Sequence, residues 1–102
     1  MTKQSDKWQD LQNDIAAFTD SVFGASNPVS KLKHLREEVD ELIEEPNDTH
    51  EWADCMILLI DAAKKAGHDM DDLYRFVNEK MAINKTRKWG EPDEDGVVRH
   101  VG

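Results

Sequence analysis

Three prolines and five glycines fall almost entirely between stretches of helical periodicity, and that punctuation leaves room for four helices and little else. Trp8, Leu11, Ile15, Phe18 and Val22 recur at helical spacing before Gly24, which predicts a first amphipathic helix of about five turns. Asn27 and Pro28 supply a cap and a first-turn residue for a second helix, whose buried stripe is Val29, Leu32, Leu35, Val39, Leu42 and Ile43, ending at Pro46. A third helix starts behind Asn47-Asp48-Thr49 and runs to Gly67, apolar on nearly all sides from Trp52 to Ile60, as befits the centre of a bundle. The fourth opens at Asp69 with Asp72 three residues on, carries Leu73, Phe76, Val77 and Met81, and ends at Gly90. After it, EPDEDGVVRHVG reads as a turn and a short extended tail. The sequence thus predicts an all-α four-helix bundle, one domain over residues 1–102 with a tail from about residue 90, without repeats or linkers.

Only 13 Lys and Arg stand against 22 Asp and Glu in the 102 residues, a formal charge of −9. Such a globule repels nucleic-acid backbones and anionic lipid headgroups and attracts cations. The single cysteine, Cys55, excludes an internal disulfide and a CxxC metal site, which fits a reducing cytoplasm. The opening MTKQSDKWQD is polar, and the longest apolar run is broken by Asp61, so neither a leader nor a membrane span is expected. A chain of this length buries only about 60–70% of the surface its unfolded form exposes. With a third helix so apolar, a homodimer or a dimer of dimers follows.

The acidity is patterned. Glu37, Glu38, Glu41 and Glu45 lie beside or opposite the apolar stripe of the second helix, a placement that a merely solvated face would share. For Glu37, Glu38 and Glu41 the stabilising partners would be Lys or Arg at 41, 42 and 45, which hold Glu, Leu and Glu. Glu51 and Asp54 share a face of the third helix. Glu51 has an alternative role in capping behind Asp48, whereas Asp54 in so apolar a helix needs a cation. Carboxylate pairs converging from consecutive antiparallel helices suit Mg²⁺ or Mn²⁺. Zinc does not fit, because His34, His50, His68 and His100 lack ligand spacing. An EF-hand calcium loop has no DxDxDG here.

On a helical wheel the inward face of the fourth helix turns polar and basic halfway along, through Lys80, Asn84, Arg87 and Lys88. These residues either finish a helix that outruns the core or donate to phosphate oxygens in the same groove as the carboxylates. Trp8, Trp52 and Trp89 are candidates for core packing or base stacking, and only Trp89 adjoins the phosphate candidates. Cys55 reads as a buried structural thiol.

EExxE at Glu37, Glu38 and Glu41, ExxD at Glu51 and Asp54, and KxxxNKxRKWG from Lys80 to Gly90 together resemble the MazG-type all-α nucleoside triphosphate pyrophosphohydrolases. The segment NKTRKWGEPDEDGVVRH resembles more narrowly the phage-associated MazZ-like dATP/dGTP diphosphohydrolases. One departure is the short connection, residues 42–50, between the two acidic motifs. The resemblance implies hydrolysis of purine (deoxy)nucleoside triphosphates, dGTP or dATP first, to the monophosphate and pyrophosphate with Mg²⁺ or Mn²⁺. It assigns Glu38, Glu41, Glu51 and Asp54 to metal, and Glu37 and Glu38 to catalysis, Glu37 through a second metal or the attacking water. It gives Lys80, Asn84, Arg87 and Lys88 to phosphate and Trp89 to a possible base contact. It also implies a site built at a subunit boundary and, for a phage protein, work in the host cytoplasm. The alternative from another class is a non-catalytic acidic four-helix interaction or metal-binding protein.

Overall fold

The computed structural model describes residues 4–24 and 26–102. Four helices follow one another, α1 (Gln4–Phe23), α2 (Pro28–Glu44), α3 (Thr49–Lys65) and α4 (Met70–Thr86), and two short strands, β1 (Lys88–Trp89) and β2 (His100–Val101), close the chain. The boundaries have local causes. Asn27 accepts a hydrogen bond from the Ser30 backbone N–H with Pro28 in the first turn, Asp48 accepts from the His50 N–H, and Asp69 and Asp72 form a reciprocal capping box. α3 stops where Gly67 takes a φ of 91°. There the His68 and Gly67 N–H groups donate back to the Ala63 and Lys64 carbonyls, an arrangement open at little cost only to glycine.

α2 and α3 form an antiparallel hairpin, α1 lies across α3, and α4 packs on α1. The fully apolar core is small: Ile15, Ala16, Leu58, Ile60 and Ala62. Here the structure corrects the stripes read from periodicity. In α1 only Ile15 of the expected stripe is buried, and the inward line is Gln12, Ile15, Ala16 and Thr19, while Trp8, Leu11, Phe18 and Val22 are exposed. In α2 the one buried residue is Lys31, with Leu35 and Leu42 half-buried. Phe76, Val77 and Met81 of α4 are also exposed, as are Trp52, Met56, Ile57 and Leu59 of α3.

The physical reason is that one chain leaves its apolar faces partly uncovered. Its accessible surface is 7991 Å², against about 5,900 Å² for a compact monomer of this mass. Its radius of gyration is 16.1 Å, against about 13 Å for a compact domain of this length. No helix is long and apolar enough to cross a membrane among the described residues.

The second correction concerns the end of α4, which stops at Thr86 rather than at Gly90. Arg87 already has an extended backbone, with ψ 152°. Lys88 and Trp89 pair in antiparallel fashion with Val101 and His100. The acidic turn between the strands is ordered by Asp93, whose carboxylate accepts from the Asp95 and Val97 N–H groups and from Arg99 at 2.7 Å. That Arg99 contact, ahead of the backbone donors, holds the Asp93 carboxyl below its ordinary range.

Candidate functional site

The tight turn after α2 folds α3 back along it. The Asp48 N–H donates to the Glu45 carbonyl, and the Trp52 indole donates to the Pro46 carbonyl at 2.9 Å. The short connection between the acidic motifs is therefore sufficient, because it sets Glu51, in the first turn of α3, opposite Glu38 and Glu41, one turn apart on α2. Each of the three offers a carboxylate oxygen within 4.8 Å of the others. Glu51 Oε2 is buried without a hydrogen-bond partner. Its burial, followed by the charges of Glu41, Glu38, Asp48 and Asp54, pushes the Glu51 carboxyl above its ordinary range.

Among the described residues, no Lys or Arg pairs with these three; the one nearby base is His34, whose Nε2 lies 3.3 Å from Glu38. A group of like charges with an orphaned inner oxygen is the donor set of a hard divalent cation, so the residues present fit Mg²⁺ or Mn²⁺. Asp54 lies outside the three-oxygen group, one turn along α3 from Glu51, and Glu37 is exposed beside Glu38. Cys55, half-buried behind the cluster, is pushed above its ordinary range by burial and by Glu38, Glu51, Asp54 and Glu41. It is a thiol rather than a nucleophile.

Glu38 and Asp54 also border a cavity of about 480 Å³ between α1, α2 and α3. Its apolar walls are Leu11, Ile15, Phe18, Phe23, Ile57 and Leu58, and its polar lining is completed by Asp14, Thr19, Lys31 and His34. The volume lies within the range of small-molecule pockets, about 300–1,000 Å³.

Behind the cavity lies a network that the sequence reading missed. Asp61, fully buried, accepts from the Thr19 hydroxyl at 3.2 Å and from Lys65 Nζ at 3.1 Å. Its second oxygen, Oδ2, is 3.3 Å from Lys31 Nζ, an ion pair without hydrogen-bond alignment. Lys65 reaches on to Asp20 at 2.8 Å, and this bond, with the contribution of Asp61, outweighs burial and raises the lysine above its ordinary range. Gln12, also fully buried, donates to the Ile60 and His68 carbonyls. The signal available in the sequence was Asp61 interrupting the apolar run with Lys65 four residues on, a spacing that pairs on one helix face.

The phosphate candidates are placed apart. Asn84 and Arg87 line a second cavity of about 450 Å³ with Met81, Lys85 and Trp89, and it shares no residue with the first. Asn84 Oδ1 is buried and unpartnered, while the Asn84 carbonyl accepts from the Trp89 indole at 3.0 Å. Trp89 meets His100 edge-on, with centroids 6.1 Å apart. Lys80 is exposed, and Lys88 is exposed in β1 rather than on the helix. α4 packs chiefly on α1, and the cavity that Asn84 and Arg87 line is separate from the one that Glu38 and Asp54 border.

A sequence model of the dATP/dGTP pyrophosphohydrolase family matches residues 11–102, from the third turn of α1 through β2. The chain belongs to this family. Among its relatives is the dATP/dGTP diphosphohydrolase of cyanophage S-2L, 35% identical over 94 residues, with 90% of this chain and 86% of that protein covered. The Eaa protein of Salmonella phage P22 is 42% identical over 91 residues, which are 89% of this chain and 29% of that protein. A dATP/dGTP diphosphohydrolase of Salmonella phage PMBT28 is 37% identical over 93 residues, 31% of its length. The chain thus spans about three tenths of the two Salmonella phage relatives it matches. The S-2L MazG-like pyrophosphohydrolase, solved with dGDP and three catalytic Mn²⁺ ions per active site, superposes with a TM-score of 0.78 at 33% identity, over 91% of this chain and 95% of that one. The all-α four-helix fold is shared with that solved relative.

Proposed function

We propose that this chain, acting as one domain over residues 1–102, hydrolyses purine deoxynucleoside triphosphates, dGTP or dATP first, to the monophosphate and pyrophosphate with Mg²⁺ or Mn²⁺. The observation that carries the reading is the convergence of Glu38, Glu41 and Glu51 within 4.8 Å with no lysine or arginine partner among the described residues. A triphosphate carries about four negative charges, which this surface would repel without divalent ions between them. The dGDP and Mn²⁺ held by the S-2L relative support the same pairing of ligand and ion.

Glu38, Glu41 and Glu51 would hold the metal, with Asp54 closing the set beside the cavity. Bound there, the ion supplies charge neutralisation, polarisation of phosphoryl oxygens and a lowered pKa for bound water. Glu37, exposed beside the cluster, orients the attacking water and holds its proton as the α–β phosphoanhydride splits and pyrophosphate leaves. Lys80, Asn84, Arg87 and Lys88 donate to the phosphates, and Trp89 contacts the base or the neighbouring subunit.

The reading needs a second copy, as a homodimer or homotetramer. About 2,000 Å² of surface beyond that of a compact monomer is on the scale of specific interfaces, about 1,200–2,000 Å² in total. A neighbouring α4 can supply donors to a chain's carboxylates. The place of action is the cytoplasm, consistent with the single free thiol of Cys55.

The test is a screen of the eight common nucleoside and deoxynucleoside triphosphates with Mn²⁺ or Mg²⁺, resolving products by chromatography. Purine deoxynucleotides are expected to turn over fastest, yielding monophosphate and pyrophosphate. Equal rates on all eight would contradict the substrate class, and no turnover with either metal would contradict the enzyme.

A further inference from the structure

We propose that Asp14, on the α1 wall of the cavity beside the carboxylates, reads the base of the substrate and selects guanine over adenine. The inference rests on the pyrophosphohydrolase reading and adds a residue with a defined task to it. A nucleotide whose phosphates lie at Glu38 adjoins, for its nucleoside, the cavity of about 480 Å³ that Glu38 and Asp54 share with α1. Its apolar walls accept the faces of a flat ring but cannot tell one purine from another, so discrimination falls to the polar groups on the lining.

Those groups can be taken one at a time. Thr19 is spent on the Ala16 carbonyl and on Asp61. Lys31 is held by Asp61 and lies over the Phe23 ring at 5.0 Å. His34 is paired with Glu38, and Glu38 and Asp54 belong to the metal end of the cavity. Asp14 is left: it lines the cavity, has solvent access, and makes no hydrogen bond or ion pair among the described residues.

A carboxylate is an acceptor with two parallel oxygens. Guanine alone among the common bases presents two adjacent donors, N1–H and the 2-amino group, on its Watson–Crick edge. The fit is the bidentate, charge-assisted arrangement that gives both strength and direction. Adenine in the same pose would place the lone pair of its N1 against one carboxylate oxygen and C2–H against the other, satisfying neither.

The test compares wild type with Asp14→Asn and Asp14→Ala in two ways. The first is kcat/KM with Mn²⁺ for dGTP, dATP and dITP, the last being the purine without the 2-amino group. The second, free of turnover, is calorimetric binding of dGMP and dAMP. Wild type is expected to prefer dGTP to dATP and to use dITP about tenfold less well, the scale of one charge-assisted hydrogen bond. Asp14→Asn is expected to lower kcat/KM for dGTP about 10- to 100-fold more than for dATP and to erase the difference between dGTP and dITP. Equal losses on dGTP and dATP, an unchanged dGTP rate, or a wild type that does not distinguish dGTP from dITP would each overturn the assignment. A wild type inactive on every nucleotide would sink the pyrophosphohydrolase reading alone. The binding arm then decides: tighter dGMP than dAMP binding that Asp14→Asn removes supports the base reader, and equal affinities overturn it.

Discussion

The α2–α3 hairpin carries two groups of carboxylates that obey opposite rules. At its waist, Asp61 is fully buried, yet Lys31, Lys65 and the Thr19 hydroxyl surround it, and Asp20 balances the second lysine. At its turn end, Glu38, Glu41 and Glu51 meet within 4.8 Å, and among the described residues the one base paired with them is His34. Burial alone would place the greater electrostatic problem at the waist. The chain solves that one with its own cations and leaves the turn end unsolved. A charge complement supplied by the fold marks structure, and one withheld marks a site whose cation comes from outside.

The largest effect that could break this comparison is on turnover. Glu38→Ala, or Asp54→Ala, is expected to lower kcat by more than about 10³-fold, roughly 4 kcal/mol of transition-state stabilisation. The same variants should melt at or above the wild-type temperature in EDTA, because removing a like charge relieves repulsion. If either melts far below wild type in EDTA, the carboxylate has a structural cation inside the protein and the two regions are alike. At the waist the signs reverse. Asp61→Ala strands Lys31 and Lys65 near a dry interior and is expected to cost about 3–5 kcal/mol of stability, equally in EDTA and Mn²⁺, as read by urea denaturation. A metal-dependent cost there would merge the two regions.

A smaller effect is expected from the fourth helix. Lys80→Ala and Asn84→Ala should each weaken binding of a non-hydrolysable triphosphate in Mn²⁺ about 10- to 100-fold, with little change in the melting temperature of the free protein. Arg75→Ala is the control, since Arg75 is occupied by Asp72 and Glu79 on the solvent side. An equal loss from Arg75→Ala would move the phosphates elsewhere.

The smallest effect is a pH trend. The folded state holds the Glu51 proton more tightly than the unfolded chain does, through burial and then its acidic neighbours. That contribution is fully present below the ordinary glutamate value of about 4.3 and is lost as the pH rises through the raised folded value. In EDTA, melting curves from pH 4 to 7 should therefore show wild type losing stability relative to Glu51→Gln as pH rises, with Mn²⁺ reversing the order. A difference independent of pH would contradict the crowding at Glu51.

The helices were legible because their signals are local. Asn27-Pro28, Asp48, Asp69 with Asp72, and Gly67 act within one turn of their own position, and each ends a helix where the sequence placed an end. The acidic motifs were legible for a related reason: missing counter-charges show as a deficit without any knowledge of packing. What periodicity misjudged was which faces are covered. Val22 and Val77 are apolar and in step, yet 55% and 60% exposed, because their cover is not in the same chain's fold. The waist was overlooked since a buried Lys31 looks, in sequence, like any surface lysine, and only its long-range partner Asp61 gives it a reason to be inside. The stop of α4 at Thr86 was missed because the strand that captures Lys88 and Trp89 is formed by residues at the far end of the tail.

The central claim, that the turn-end carboxylates are a divalent cation site and the waist is not, is tested most directly by calorimetric titration of Mn²⁺ into four proteins: wild type, Glu38→Ala, Glu51→Gln and Glu79→Gln. Glu79, exposed on α4 and paired only loosely with Arg75 at 4.0 Å, reports on acidity without convergence. The account expects saturable binding in wild type and Glu79→Gln, weakened at least about tenfold in Glu38→Ala and in Glu51→Gln. Equal affinity in all four proteins would show that Mn²⁺ answers to net charge alone, and would contradict it.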